Sequence, residues 1–449
     1  MGDLPDYTKY VTPPSAGDLK IELPTVSVNI QPVVAQYRMF GITEENAENV
    51  LTTQYLKQGC LLPTYVIVSD PTGAIVSYEG GYACRALIYK AGSGEVALAK
   101  LILDVFQSLQ NADGSYYQQY YPTRLVSGLF PGYAAAAEPY STITVDSGAA
   151  LLAWAMADYD AKIGAASVVY KTSVQKAMAY LRECQVRHTA ANPGSYLLAN
   201  QRWDYGLSTE KWNTDAFAAD TAECVLAALA ALNQYGTGLL DSNGYAVKTF
   251  ANNMYISLAT ISFRGNPAPS SLDDSYFWTE HPVGSIPWLM PANIVPIGIS
   301  YVQALCSWAV YAWAKSAHLI GGTPDYSYVC ERALNWANAL LNGKWGGYYY
   351  HPIGTVYGKG IAGNGIGLYD EFPAFTSLMS IAMKTVNSSL YANKISRCTS
   401  FIRRASFTGG RVSNRVKIDG IIDLGEAGVQ GDGMHFRALN TAQGLLADA

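Results

Sequence analysis

TDAFAADTAECVLAALAALNQ, residues 214–234, is a run of small apolar residues whose polar members, Asp215, Asp220 and Glu223, crowd its first half. A surface helix alternates apolar and charged residues at a period of 3.6, but from Cys224 to Gln234 this one carries no charge at all. The spacing predicts a helix buried on nearly every side. Relatives of the stretch recur: YEGGYACRALIYKA from Tyr78, VDSGAALLAWAMADYD from Val145, NIVPIGISYVQALCSWAVYAWA from Asn293 and LYDEFPAFTSLMSIAM from Leu368. Buried helices therefore repeat around a common centre, with acidic groups near their N-terminal ends.

Between these runs lie amphipathic ones: Glu95 to Leu109, Val169 to Gln185, Tyr245 to Phe263, Tyr328 to Leu341 and Ser388 to Arg404. In VYKTSVQKAMAYLRECQ the charges Lys171, Lys176 and Arg182 fall on a different stripe from Val174, Met178 and Leu181, as an outer-layer helix requires. A last buried helix is expected from about Met434 to Leu446, and Glu44 to Lys57 supplies an outer helix to close against it. Six inner and six outer helices make an all-α (α/α)6 toroid over residues 41–449, preceded by an extended Pro-, Thr- and Val-rich arm over residues 1–40. Thr64 to Ser77 reads as a β-hairpin, since two β-branched runs flank Asp70, Pro71, Thr72 and Gly73. Inner-to-outer connections are mostly short. Outer-to-inner ones are long, at about 111–144, 186–213, 264–292, 343–367 and 405–432, and loops of such length carry function. With parallel inner helices, all the long loops and the inner N-termini share one face, where the site is expected.

Charged residues are scarce at 14%, while aromatics reach 12% and tyrosine alone contributes 33. Such a surface suits neutral polar ligands. A net charge of −5 without any Lys/Arg cluster argues against a nucleic-acid partner. The seven cysteines stand singly in mostly apolar stretches, and the five histidines lack metal-binding spacing, so no metal site and no cofactor are implied. The N-terminus shows no basic segment followed by an apolar one, so a secretory signal is not expected there. Pro291 to Ala314 is uncharged, but its two prolines and its Asn, Ser and Gln residues read as a buried helix and not a membrane span. Oligomeric state is not readable.

The long loops share an opening motif after each outer helix: NADGSYYQQYYP from Asn111, NPGSYLLANQRWDY from Asn192, NGKWGGYYYHP from Asn342 and TGGRVS from Thr408. The glycines read as helix stops. Beyond them, rings concentrate in the loops, and flat rings with hydroxyls can stack on and bond to sugars. Tyr116, Tyr120, Trp203, Tyr205, Trp212, Tyr276, Trp278, Trp345 and Tyr349 are the substrate-binding candidates, with His281 and Arg202 beside them. In repeat layout, glycine-aromatic loop openings and acids at inner-helix starts, residues 44–449 resemble the (α/α)6-toroid carbohydrate-active enzymes, the six-hairpin glycosidases and toroid polysaccharide lyases. The resemblance implies a glycan-binding cleft at the long-loop face. No family-diagnostic motif is present, so no catalytic residues are carried over by motif.

Glycosidases of this kind need one protonated carboxyl and one ionised carboxylate. Acids expected on the face are Glu79, Asp146, Asp204, Asp215, Asp220, Asp273, Asp274, Glu280, Asp370, Glu371, Glu426 and Asp432. Asp146, Asp215 and Asp370 fall at N-cap positions, where a carboxylate can satisfy backbone amides with no catalytic duty. Asp220 lies a turn inside its helix among Ala218, Ala219 and Thr221, where a carboxyl needs a partner or a lumen and a raised pKa suits an acid catalyst. Asp220, Asp274, Asp370, Glu371 and Asp146 are the catalytic candidates. Arg202 can hold a substrate carboxylate or pair with Asp204. A lyase acting on a uronate would use Arg202 with Tyr205, Tyr276, His281, His351 and Asn364 instead. QNADGSYY at Gln110 imitates a terpene-cyclase repeat, but the acidic DxDD motif is missing. A non-catalytic glycan-binding attachment protein, anchored by residues 1–40, is the remaining alternative. The favoured reading is hydrolysis of a poly- or oligosaccharide by a carboxyl pair.

Overall fold

The computed structural model describes residues 65–66, 75–89, 93–122, 133–135, 143–260, 300–316, 324–348, 373–405, 425–426, 429–430 and 436–437. Ten α-helices run through them in alternation: α1 (Ser77–Tyr89), α2 (Ser93–Leu109), α3 (Asp146–Ile163), α4 (Lys171–Ala191), α5 (Ala218–Tyr235), α6 (Val247–Thr260), α7 (Ser300–Lys315), α8 (Tyr328–Ala337), α9 (Pro373–Asn387) and α10 (Ala392–Arg404). The odd-numbered helices pack side by side in chain order, α1 on α3, α3 on α5, α5 on α7 and α7 on α9. Each is backed by the even-numbered helix that follows it. An inner layer and an outer layer result. Residues 1–40, the expected arm, and the expected helix at 44–57 lie outside the described residues.

The α5 sequence explains its place. Alanine has the highest helix propensity and adds little bulk, so a run of alanines can be covered by neighbours on every side. All its residues from Thr221 to Ala228 are buried. The helix stops at Gly236, whose φ of +95 lies in the left-handed region, with its N–H donating to Leu232 O. Outer helix α4 buries Val174, Met178 and Leu181 and turns Lys171, Lys176 and Arg182 partly outward, as its stripe predicted.

Gly80 and Gly81 sit in α1 where alanine would make a better helix by about 1 kcal/mol each. A Cβ on Gly80 would lie 2.4 Å from the Phe106 ring of α2, and one on Gly81 would lie 2.6 Å from the Leu151 backbone of α3. The pair lets α1 approach both of its neighbours.

Short strands link the helices. β1 (Tyr65–Val66) pairs antiparallel with β10 (Phe436–Arg437), bringing the two ends of the described chain together, while β2 (Ile75–Val76) pairs with β3 (Gln119–Pro122), which pairs with β4 (Tyr133–Ala135). The strands expected as a hairpin over 64–77 therefore form but join different sheets. Phe436 and Arg437 being a strand, the helix expected from Met434 does not begin there. A second sheet joins β5 (Thr144–Val145), β6 (Gln201–Trp203) and β7 (Lys211–Asn213), and β8 (Gly425–Glu426) pairs with β9 (Val429–Gln430). No helix among the described residues is long and apolar enough to cross a membrane.

Candidate functional site

The five inner helices among the described residues begin at one cavity of about 910 Å³. Its walls take Tyr78 and Tyr82 from α1, Ser147 from α3, Ala219, Asp220 and Glu223 from α5, Tyr301 and Leu305 from α7, and Phe375 and Leu378 from α9. These are residues of the first two turns, so the five helices run the same way round and present their N-terminal ends to a common space. The β6–β7 hairpin and the residues after it complete the wall with Trp203, Lys211, Trp212, Asn213, Asp215 and Phe217. The volume is near the top of the range for small-molecule sites, roughly 300–1,000 Å³.

Three carboxyls converge at the base of this wall. Glu223 is buried, and Tyr82 Oη donates to its Oε1 at 2.7 Å. Burial drives its pKa well above the ordinary carboxylate value and the neighbouring Asp220 raises it further, against the pull of the Tyr82 hydroxyl and the Arg85 charge. Asp220 reaches the cavity one helical turn earlier on the same face. Burial pushes its pKa up to about 7, opposed by a hydrogen bond to the Asp146 carboxyl. Asp146 itself is wholly buried at the start of α3 and does not line the cavity. Its Oδ1 accepts the Ser147 amide at 2.7 Å, whereas Oδ2 meets no fixed donor. Burial and then the Asp220 charge hold its pKa well above normal. Two carboxyl groups can form a hydrogen bond only through a proton that one of them keeps.

Neither Asp146 nor Asp215 is an N-cap. Val145 and Phe217 occupy the cap positions of α3 and α5 in extended conformation, without side-chain cap bonds, and Asp215 lies on the cavity wall two residues before the cap.

The rings divide between two environments. Trp203 and Trp212 line the cavity, the former half exposed with Nε1 donating to Gln201 Oε1 at 3.0 Å. Tyr116 and Tyr120, expected on a sugar-facing loop, are core residues packed edge-on against Phe106. The turn before them explains this. Gly114 has φ of +93, and a Cβ there would lie 2.0 Å from Lys176 O, so the chain turns tightly against α4 and drives Tyr116 inward.

Trp345 follows the matching turn after α8 and packs against the core below Arg404, away from the cavity lining. Tyr205 lies over Arg202, 4.0 Å from ring centre to guanidinium carbon, and does not line the cavity. Arg202 pairs with Asp113 at 2.6 Å and donates to Ser115 Oγ and Thr144 Oγ1. Its partner is thus Asp113 and not Asp204, which adopts φ of +55 in the turn after β6. Asp274, Asp370, Glu371, Tyr276, Trp278, His281 and Tyr349 lie outside the described residues.

Glu223, Tyr82, Lys211 and Gln201 went unnoticed as site residues in the sequence. For Glu223 the signal existed: it stands three residues after Asp220, which places both on one helix face. Among the described residues no group of His, Cys, Asp and Glu side chains is arranged to hold a metal ion.

No family model matches the sequence, and no curated protein is significantly similar to it. Solved structures do match over almost the whole chain. A D-mannose isomerase superposes with a TM-score of 0.56 at 10% identity, over 94% of this chain and 97% of that one. The cellobiose 2-epimerase from Bacillus thermoamylovorans B4167 gives 0.57 at 11% identity, over 93% and 99%. A family 76 glycoside hydrolase from a bovine Bacteroides thetaiotaomicron strain gives 0.54 at 12% identity, over 93% and 77%. The fold is an (α/α)6 toroid. At these identities the likeness extends to the toroid and not to its chemistry. The two toroid neighbours that rearrange sugars and the one that hydrolyses glycosides have in common that they act on saccharides.

Proposed function

We propose that this toroid is a carbohydrate-active enzyme that hydrolyses a glycosidic bond in an oligo- or polysaccharide. Glu223 is the proton donor, and Asp220 is the carboxylate that acts on water or on the anomeric carbon. The observation that carries the reading is the presence, in one aromatic-walled cavity at the inner-helix N-termini, of two carboxyls one helical turn apart, both held above the ordinary carboxylate range by burial. Burial holds the Glu223 pKa well above the ordinary carboxylate value and Tyr82 aims the group, which suits it to protonate a leaving oxygen. Asp220 changes charge near neutrality. Asp146 lies behind it and touches no substrate. As a neutral acid it lends a hydrogen bond to the Asp220 anion, which makes it a positioning residue. The uronate-lyase alternative has less support, because Arg202 is committed to Asp113.

One observation favours a second reading, a sugar isomerase. Asp220 and Glu223 rise from successive turns of one helix and stand on one wall. Moving a proton between neighbouring carbons of an open-chain sugar uses a base and an acid on the same face. Displacement at an anomeric carbon uses groups on either side of it. Sugar isomerase and epimerase structures are also among those the chain resembles.

Incubation with a panel of mono- and oligosaccharides in deuterated water separates these outcomes. New reducing ends without carbon-bound deuterium support hydrolysis. Deuterium at the carbon beside the carbonyl, without new reducing ends, overturns hydrolysis in favour of isomerisation. Ultraviolet absorbance from an unsaturated uronate would establish a lyase. Saccharide binding with no chemical change in any arm would leave a binding protein and end the enzyme reading.

A further inference from the structure

The β6–β7 hairpin has two different faces. In an antiparallel pair, directly opposed residues share a face and neighbouring residues alternate. The register sets Gln201 opposite Asn213, Arg202 opposite Trp212 and Trp203 opposite Lys211. Arg202 anchors one face to the body. It is buried, paired with Asp113, bonded to Ser115 and Thr144, and covered by Tyr205, while Trp212 beside it stacks on Tyr180.

The other face carries Gln201, Trp203, Lys211 and Asn213, and all four line the cavity, which Trp212 of the anchored face also reaches. Trp203 is 48% exposed, an unusual state for an indole, although its Nε1 is bonded to Gln201 and its position thereby held. Lys211 is exposed next to it, and among the described residues nothing pairs with its ammonium. A flat apolar ring fixed by an amide, with a cation and a second amide around it, matches a sugar ring. The indole covers the C–H face, and the ammonium and amides meet the hydroxyl oxygens.

We propose that this hairpin face is a second saccharide subsite. It holds the sugar unit adjoining the one at Asp220 and Glu223, so that the ligand is a chain of at least two units. The inference rests on the reading of the cavity as a saccharide site and adds where the second unit lies. The hairpin is suited to the task because β6 also pairs with β5, the strand that runs directly into Asp146 and α3. The platform is therefore tied to the backbone that positions Asp146, the carboxyl beside Asp220.

The test is a titration, by ligand-observed NMR, of glucose, cellobiose and cellotriose and of mannose, mannobiose and mannotriose against four proteins: wild type, Trp203→Ala, Trp203→Phe and Lys211→Met. Wild type is expected to bind the longer members of one series more tightly than its monosaccharide. Trp203→Ala should weaken the di- and trisaccharide roughly five- to tenfold and leave the monosaccharide unchanged. Trp203→Phe keeps a ring and should recover part of the loss, while Lys211→Met should lose about half as much in free energy. Both side chains are exposed, so melting temperatures should stay with wild type. Trp203→Ala binding the longer sugars as wild type does, or losing the monosaccharide equally, overturns the subsite. Wild type binding no member of either series counts instead against the saccharide reading on which it rests.

Discussion

Helix α3 carries aspartates at both ends, and the two ends treat them differently. At the far end Asp158 pairs with Arg85 at 2.8 Å, and the Arg85 guanidinium stacks on Trp154. Asp160 accepts Ser167 Oγ at 2.7 Å, the Tyr170 amide at 3.0 Å and Tyr235 Oη at 2.7 Å. At the cavity end Asp146 has one fixed donor, the amide of its own neighbour, and a carboxyl opposite it. Burial is complete for both Asp146 and Asp160, so burial does not separate them. Compensation does. Where a buried acid is fully paired, the fold gains a joint between layers. Where acids are packed against each other beside an opening, the fold gives up stability and gains groups that hold and move protons.

The largest test of the contrast is at the cavity end. Glu223→Gln keeps the Tyr82 contact through the amide oxygen but has no proton to give. Turnover should fall by roughly 10²–10⁴-fold. Thermal stability should be unchanged or improved, because the change removes an acid that burial opposes. A variant that unfolds, or that turns over normally, removes Glu223 from the mechanism. At the far end the signs should reverse. Asp160→Ala leaves three donors without their acceptor and should lower unfolding free energy by about 3 kcal/mol or more, measured by urea titration. The residual folded fraction should keep wild-type specific activity, and a selective loss of activity would show that the two ends are not independent.

These two ends were unequally legible in the amino-acid sequence. Helix type and order come from local periodicity, so α1 to α10 could be placed, whereas the common direction of the inner helices was an assumption that placed the long loops on one face. Pairing at a distance is not local. The β-branched runs at Tyr65 and Ile75 look like two arms of one hairpin, yet their partners are Arg437 and Tyr120.

The ring-rich loops misled in the same way. Tyr116, Tyr120 and Trp203 are alike in composition and neighbourhood, and only the backbone of Gly114 and the register of β6 decide which rings enter the core and which enter the cavity. Arg202 could be read as a substrate clamp because its partner Asp113 comes from another loop. Asp220 could be singled out because a carboxyl among alanines inside a helix needs a partner or a lumen, and it lines the cavity. Its partnership with Asp146 was not, since it joins two helices. Nothing in the spacing of either residue implies it.

The finest test is of the Asp146–Asp220 contact itself, through pH. The folded state holds Asp146, Asp220 and Glu223 above their ordinary values, while the unfolded chain releases these protons near the ordinary carboxylate range of about 4. Between about pH 4 and the folded values, of which that of Asp220 is about 7, the folded protein binds more protons than the unfolded one. Stability must therefore fall as pH rises through that window and be greatest at its acid side. Asp146→Asn removes one raised acid, and its amide can still donate to Asp220 and favour the Asp220 anion. The fall should flatten. Urea midpoints at about pH 5 and about pH 8 should differ less in the variant, with at least one pKa unit's worth, ~1.4 kcal/mol, regained at the higher pH. Equal slopes in the two proteins would mean that Asp146 carries no proton for its neighbour, and the cavity end would then differ from the far end only in having an opening.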